Sequence, residues 1–525
     1  MVLRYDADWL CSDVIAHNAR LCTREVAVAC GDDQLTWGEL EARTNKVANS
    51  LLGLGLVKGD KVCLFMPNSL PMFEMFWGAV KAGCVIVLLN TLLDGDALAR
   101  LANASDATVI FADDTTRAQI DAVRGALTHV PPDRFYCFGD AAAPEWQRGG
   151  DLVDPASEAP PGVKLEADDA MSIIYSSGTT GVPKGIEHTH FGRLNYPLGF
   201  GMGLRICRYS VAVCATPVFA SGTWITMFPT MYRGGTVVLL PKFTAEMFLA
   251  AVARHRGTHA FLVPTQYIAL LEHGVDRYDT SSLQVLITAG QPLSPTTSDA
   301  VLKAFPTAGL YEVYGMTEGF ATLAIPEDAE RGKRGTVGKA AFLEDIRIID
   351  AEGHELPAGE TGEIVAHGPG MMTGYYGRPD LTREATWTSP TGRTYLRSGD
   401  MGHVDQDGFL YVSGRSKDMI KSGGMNVFAV DIERVFMEHP GVSEVAVIGV
   451  PHDKWGETPL AVVITRSGAA DSAEELREWV NERLAKYQRV SQVVIRPELP
   501  RTTYGKVQKQ RLREELCPEP SLVAR

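Results

Sequence analysis

Between residues 37 and 89 the chain alternates between two hydrophobic periods, and that alternation limits its folds more than any other feature. Leu40, Val47 and Leu51 recur at helical spacing across 37–55, with Gly53 and Gly55 marking the stop. A strand-sized apolar run follows at 62–66. Phe73, Phe76, Trp77 and Val80 then form a second helical stripe, stopped by Gly83 and followed by the apolar run 84–89. Strand, helix and strand at this spacing imply βαβ units, and hence an α/β fold with a largely parallel sheet. Further strand-sized runs lie at 171–175, 210–214, 236–240, 260–263 and 285–288, while 141–164, rich in Pro, Ala and Gly, reads as a surface linker. From about residue 340 the texture changes to short alternating runs (345–349, 362–366, 408–412) split by Gly and Asp turns. That pattern predicts a small antiparallel, β-barrel-like subdomain. Beyond Arg415, strands at 445–450 and 460–465 with a helix over 473–486 suffice for a separate α+β domain.

At 525 residues the chain is too long for one compact core, so two or more domains are expected. Its formal net charge of -14 argues against non-specific nucleic-acid binding, which needs a basic surface. The nine cysteines are scattered, with no Cys-x-x-Cys pair, which argues against a disulfide framework or zinc site and for a reducing compartment. No signal-peptide pattern opens the sequence, and its apolar runs are too short to span a membrane. The expectation is a cytoplasmic protein with no integral membrane segment.

Five segments carry chemistry. Ser176-Ser-Gly-Thr-Thr-Gly-Val-Pro-Lys-Gly185 joins four hydroxyls, three glycines and a lysine in ten residues. Glycines let backbone N–H groups approach an anion, and Ser176, Ser177, Thr179, Thr180 and Lys184 add donors and charge. That chemistry suits a polyphosphate, at a strand end where α/β folds place ligands. It is not a Walker loop: Pro183 stands where that pattern has Gly, and no Ser or Thr follows Lys184. In Tyr314-Gly-Met-Thr-Glu318, Glu318 can hold the Mg²⁺ that phosphates bring, since Mg²⁺ uses one or two carboxylates with phosphate oxygens and water. In Arg397-Ser-Gly-Asp400 an acid sits in a tight turn, either as a structural cap or as an acceptor for ribose hydroxyls. The charged, glycine-flanked run Gly414–Asn426 fits an interdomain joint, and Lys506 lies in a glycine turn near the chain end.

In this order and spacing the set resembles the adenylate-forming acyl- and aryl-CoA synthetases, kin to firefly luciferase and peptide-synthetase adenylation domains. The resemblance runs from Leu35-Thr-Trp-Gly-Glu-Leu40 to Lys506. It implies a large N-terminal domain, 1–414, of two parallel-sheet lobes plus the barrel-like part, and a small mobile C-terminal domain, 415–525. It implies ATP, Mg²⁺ and coenzyme A: a carboxylate attacks the ATP α-phosphate, and a thiol then displaces AMP from the acyl-adenylate. Such chemistry needs positioning and charge neutralisation rather than a protein nucleophile.

The same resemblance assigns roles. Ser176, Ser177, Gly178, Thr179, Thr180, Gly181 and Lys184 correspond to the triphosphate loop. Gly290, Gln291, Pro292, Glu312 and Tyr314, with the adjoining Gly315, correspond to the adenine pocket. Thr317 stands at the α-phosphate contact, Glu318 at the Mg²⁺ ligand, and Asp400 with its neighbour Arg415 at the ribose. Lys506 matches the lysine that bridges carboxylate and α-phosphate. Lys417 falls at the hinge of a domain rotation that carries Lys421, Gly423 and Gly424 toward the pantetheine channel. Phe219, Ala220, Gly290, Gly315, Met316 and Thr322 are the expected acid-pocket positions. No Arg or Lys stands among them, which favours an apolar aromatic or medium-chain aliphatic acid. Many relatives carry His where this chain has Ala220, a difference read as family variation. Sharper alternatives are a widened pocket mouth or a gate supplied by Trp224. Two further functions stay open at this point, an enzyme loading a carrier-protein thiol and a silent acyl- or nucleotide-binding protein. The oligomeric state, a homodimer included, is open as well.

Overall fold

The computed structural model describes residues 10–139, 144–176, 184–423, 425–452, 454–466, 470–501 and 507–517. Thr36 begins the first of the two helices expected near the N-terminus. Its hydroxyl accepts from the Glu39 N–H while the Glu39 carboxylate accepts from the Thr36 N–H, a capping box that starts Trp37–Gly53. Ser69 caps Leu70–Lys81 in the same way through the Met72 N–H. The two helices pack closely because residue 78 is Gly: a Cβ there would overlap the Val47 side chain. Their apolar faces, with fully buried Phe73, Phe76 and Trp77, fill the space between two large sheets.

The first sheet runs in the order Gly374–Tyr375, Lys184–Thr189, Ala170–Ser176, Val85–Leu88, Lys61–Phe65, Val109–Asp113, Phe135–Phe138, Gln147–Arg148. It is parallel from Ala170–Ser176 onward and antiparallel at the other edge. The second runs Lys339–Ala340, Phe320–Ala324, Gly309–Met316, Val285–Ala289, His259–Leu262, Val211–Cys214, Thr236–Leu239, Val26–Cys30, Asp33–Thr36, with a parallel centre and antiparallel ends. Side chains from both sheets meet in one core, including Val62, Leu64 and Ile86 from the first and Val28, Val237 and Leu239 from the second. These are the two parallel-sheet lobes that the resemblance implies, built from the βαβ units that the alternation predicts.

The expected barrel-like antiparallel part is a five-stranded antiparallel sheet that stays open. Asp345–Ile349, Gly362–His367, Thr394–Val404 and Thr386–Thr388 pair in that order, with Leu410–Arg415 added to Thr394–Val404. The eleven-residue Thr394–Val404 strand pairs with Thr386–Thr388 at its start and with Leu410–Arg415 at its end. It therefore bends the sheet without closing it.

The chain then crosses Ser416–Asp418, one 3₁₀ turn, into a last sheet of Met425–Val427, Ile420–Ser422, Gly456–Thr465 and Val442–His452, with Gln492–Ile495 alongside Gly456–Thr465. This sheet has its own core, in which Ile432, Phe436, Leu476 and Val480 are fully buried. The helix expected over 473–486 ends early, at Asn481. The Asn481 amide donates to the Val490 carbonyl at 2.9 Å and accepts from the Val490 N–H at 2.8 Å, turning the chain back. Among the described residues no helix is long and apolar enough to cross a membrane.

Candidate active site

One cleft of about 2670 Å³ receives the ends of the central strands of both lobes and the near edge of the last sheet. The glycine-rich segment joins Ala170–Ser176 to Lys184–Thr189, two antiparallel strands in which Ser176 lies opposite Lys184. It is thus a hairpin connection, unlike the strand-to-helix turn of a Walker loop. Ser177, Gly178, Thr179, Thr180 and Gly181 lie outside the described residues, as do Gly424 and Lys506.

Lys184 leaves the hairpin with its ammonium 4.6 Å from the centre of the Tyr375 ring. The Tyr375 hydroxyl donates to Glu318 Oε1 at 2.9 Å. A cation and a carboxylate, 134 positions apart in sequence, are thereby ordered by one tyrosine, and all three face the cleft. The turn that carries Glu318 is fixed by Gly319, whose φ of +124° and tight approach to the Gly370 carbonyl leave no room for a Cβ. Beside it, Thr317 Oγ1 lies 2.9 Å from Ser221 Oγ.

Farther along the cleft wall, Asp400 and Arg415 sit directly opposite each other in neighbouring strands. Asp400 Oδ1 lies 3.2 Å from Arg415 Nε, and Oδ2 accepts from the Tyr314 hydroxyl at 2.8 Å. The carboxylate is held by both oxygens, so it faces the cleft in a fixed orientation. Gly290, Gln291, Pro292, Glu312 and Gly315 line the same space. Burial pushes the Glu312 carboxyl up to about 7. Lys417 also reaches the cleft, its charge disfavoured first by burial and then by Arg415, while its neighbour Asp418 pairs with Arg513 at 2.9 Å. Lys421 and Gly423 do not line the cleft: the Lys421 N–H donates to Glu457 Oε2 at 2.8 Å and the Gly423 N–H to the Trp455 carbonyl at 2.8 Å.

Phe219, Ala220, Gly315 and Met316 line the expected acid pocket, joined by Tyr196, Phe200, Phe261 and Tyr311. Buried Asn68 fixes the approach to Phe219, donating to the Thr216 and Leu240 carbonyls and accepting from the Val218 N–H. One expectation is corrected here and one alternative falls. Thr322 lies opposite Tyr314 but is fully buried, with its hydroxyl on the Val337 carbonyl, so it is not part of the wall. Trp224 is no gate: it is fully buried, stacked 4.9 Å from Phe228, and donates its indole N–H to the Val218 carbonyl at 2.8 Å.

Sequence reasoning missed Tyr375, Ser221, Asn68 and Arg193. Tyr375 lies in the run Gly374-Tyr-Tyr-Gly-Arg-Pro, where an aromatic pair beside glycines was the available signal. Arg193 also lines the cleft yet is only 1% exposed, and nothing in the sequence marks an arginine for burial.

The profile of the AMP-binding enzyme family matches residues 15–376, and that of the AMP-binding enzyme C-terminal domain matches 431–506. A feruloyl-CoA synthase from an Amycolatopsis species is 33% identical, over 94% of this chain and 96% of its own length. The long-chain-fatty-acid–CoA ligase FadD13 of Mycobacterium tuberculosis is 32% identical, over 92% and 93%. Among solved structures, ATP-bound MatB from Rhodopseudomonas palustris matches with a TM-score of 0.85 at 30% identity, over 96% of this chain and 98% of that one. The anthranilate CoA ligase AuaEII in complex with anthranoyl-AMP matches with a TM-score of 0.87 at 27% identity, over 97% and 98%.

Proposed function

Because the chain belongs to the AMP-binding enzyme family, we propose that it is an AMP-forming carboxylate–CoA ligase. It joins a carboxylic acid to the adenylyl group of ATP with release of pyrophosphate, then transfers the acyl group to the thiol of coenzyme A with release of AMP. A carboxylate is a poor acyl donor because oxide is a poor leaving group, and AMP is a good one.

The observation that carries the site assignment is the pairing of Lys184 with Glu318 around Tyr375, in the same cleft as the Tyr314–Asp400–Arg415 cluster. On this reading Lys184 neutralises the phosphate tail. Asp400 accepts the ribose hydroxyls, held in place by Tyr314 and Arg415. Thr317 donates to the α-phosphate, its hydroxyl aligned by Ser221. Lys506 offsets the repulsion between the two anions that meet in the first step. A Mg²⁺ ion fits this donor set: the Glu318 carboxylate faces the cleft beside Lys184 and Tyr375, and phosphate oxygens and water would complete a hard coordination shell. Bound there, it neutralises phosphate charge. Lys417 marks the joint between a domain of 1–414 and a second of 415–525, whose turning would bring Lys421, Gly423 and Gly424 toward the thiol path.

The acid is compact, aromatic or aliphatic, in keeping with the walls formed by Tyr196, Phe200, Phe219, Phe261 and Tyr311. A reducing, cytoplasmic setting agrees with nine cysteines that are all free. The test is AMP formation from ATP that requires both an acid and coenzyme A; ATP turnover indifferent to the acid would contradict the reading.

A further inference from the structure

Arg193 is a buried cation without a buried anion. It follows the Lys184–Thr189 strand on the short helix His190–Asn195, and its side chain runs into the space between the two lobes. Its Nε and Nη2 donate to Ser172 Oγ, each at 3.2 Å, and Nη1 reaches the Tyr196 hydroxyl at 3.5 Å. The guanidinium lies 4.5 Å from the centre of the Trp224 ring and 5.6 Å from that of Tyr196. Every one of these partners is neutral. The nearby groups that could ionise stay neutral too: burial pushes the Cys11 thiol up to about 12, raises the Tyr196 hydroxyl and holds the His188 imidazole well below its usual range. Among the described residues no carboxylate acts on Arg193's charge. Proteins pair or hydrogen-bond a charge removed from water, and a guanidinium suits a carboxylate in particular because its forked donors match both oxygens.

The position of this cation relates it to the reacting centre. Thr317 bonds to Ser221 and Arg193 to Tyr196, and the Ser221 hydroxyl acts on that of Tyr196 between them, along one wall of the cleft. The Thr317 hydroxyl and the Arg193 guanidinium are thus on the order of 10 Å apart. Tyr196 begins a π-helical turn, Tyr196–Phe200, an irregularity that turns side chains out of the ordinary helical register and is frequent at functional sites.

We propose that Arg193, with Tyr196 and Ser221, is a specificity subsite for a second carboxylate on the substrate, so that the acid activated is a compact dicarboxylic acid. One carboxylate lies at Thr317 for adenylation. The other replaces the weak Tyr196 contact on Arg193 Nη1, and the aromatic walls hold the carbon frame between them. A rigid ring or a chain of two to four methylenes spans that gap; a long alkyl chain does not. This inference rests on the ligase reading and names the class of acid that reading leaves open.

Matched acids test it: terephthalate against benzoate and glutarate against valerate, each with ATP, Mg²⁺ and coenzyme A, followed as kcat/KM for AMP release. The wild-type enzyme is expected to favour the dicarboxylate of each pair at least tenfold. Arg193→Met, close in length and without charge, is expected to cut that preference ratio about 100-fold, chiefly through KM, with Arg193→Lys restoring part of it. AMP release with no preference for the dicarboxylate, or an Arg193→Met variant that lowers both acids equally, overturns the proposal and leaves Arg193 a structural cation stacked on Trp224. If Arg193→Met does not fold, the wild-type ratio decides alone. AMP release from no acid of any class tells instead against the ligase reading itself.

Discussion

At the scale of single residues, Glu312 ties local burial to a measurable dependence on pH. Its carboxyl sits in the cleft with its affinity for a proton raised by desolvation from an ordinary 4.5 to about 7. The folded state therefore holds a proton between those values while the unfolded chain has lost it. Native stability falls relative to a neutral residue as pH rises from 4.5, and the penalty becomes constant once the folded group has ionised above about 7. Glu312→Gln is accordingly expected to melt about 1–3 °C higher than wild type at pH 8 and to lose that advantage near pH 4.5. A difference that is the same at both pH values would show that Glu312 is not desolvated. The expectation that Glu312 lies beside adenine came from the family resemblance. Its shifted ionisation did not, because burial is a property of the surrounding strands. Arg193 escaped for the same reason: along the sequence it is an ordinary polar residue on a short helix, and it is the packing of Ser172, Tyr196 and Trp224 around it that encloses it. Trp224 was misplaced because helical spacing from Ala220 was assumed, whereas Ser221–Thr223 form a 3₁₀ turn that sends the indole into the core.

Among the elements, the turn between Gly309–Met316 and Phe320–Ala324 sets the position of both Thr317 and Glu318. The Glu318 carbonyl accepts from the Met372 N–H at 2.7 Å, which ties this turn to the segment leading to Tyr375. Gly319→Ala places a methyl group against the Gly370 backbone at a φ that side chains rarely adopt. The expected outcome is a loss of at least 10-fold in kcat/KM for ATP together with a lower melting temperature. Wild-type values for both would mean that this turn is not held as described. The parallel strands were legible because each is a continuous apolar run beside a helical stripe: 62–66 became Lys61–Phe65 and 285–288 became Val285–Ala289. The return of the glycine-rich segment as an antiparallel hairpin was not. Lys184-Gly-Ile-Glu-His-Thr189 mixes polar and apolar residues, and nothing local fixes its direction relative to Ala170–Ser176. How far the barrel-like sheet closes was not legible either, since short alternating strands specify a sheet but not its closure.

For the whole molecule, the joint at Ser416–Asp418 is where one active site could serve two half-reactions. On one side Leu410–Arg415 belongs to the sheet that holds Asp400; on the other Ile420–Ser422 opens a sheet with a separate core. Lys421 and Gly423 stand off the cleft wall, so a part for them in thiol transfer requires rotation about this joint. Lys417→Pro, which restricts the joint, is expected to slow thioester formation from supplied acyl-adenylate at least 10-fold more than it slows adenylation, or the reverse. Wild-type rates for both steps would remove Lys417 from the hinge.

The central claim is that ATP, an acid and coenzyme A are consumed together. The direct measurement is the stoichiometry of AMP, pyrophosphate and acyl-CoA formed by the purified protein with Mg²⁺ across aromatic, aliphatic and dicarboxylic acids. The account predicts equal amounts of all three products, with turnover lost when either the acid or coenzyme A is omitted. Pyrophosphate and AMP without any acyl-CoA, at every acid tried, would contradict it.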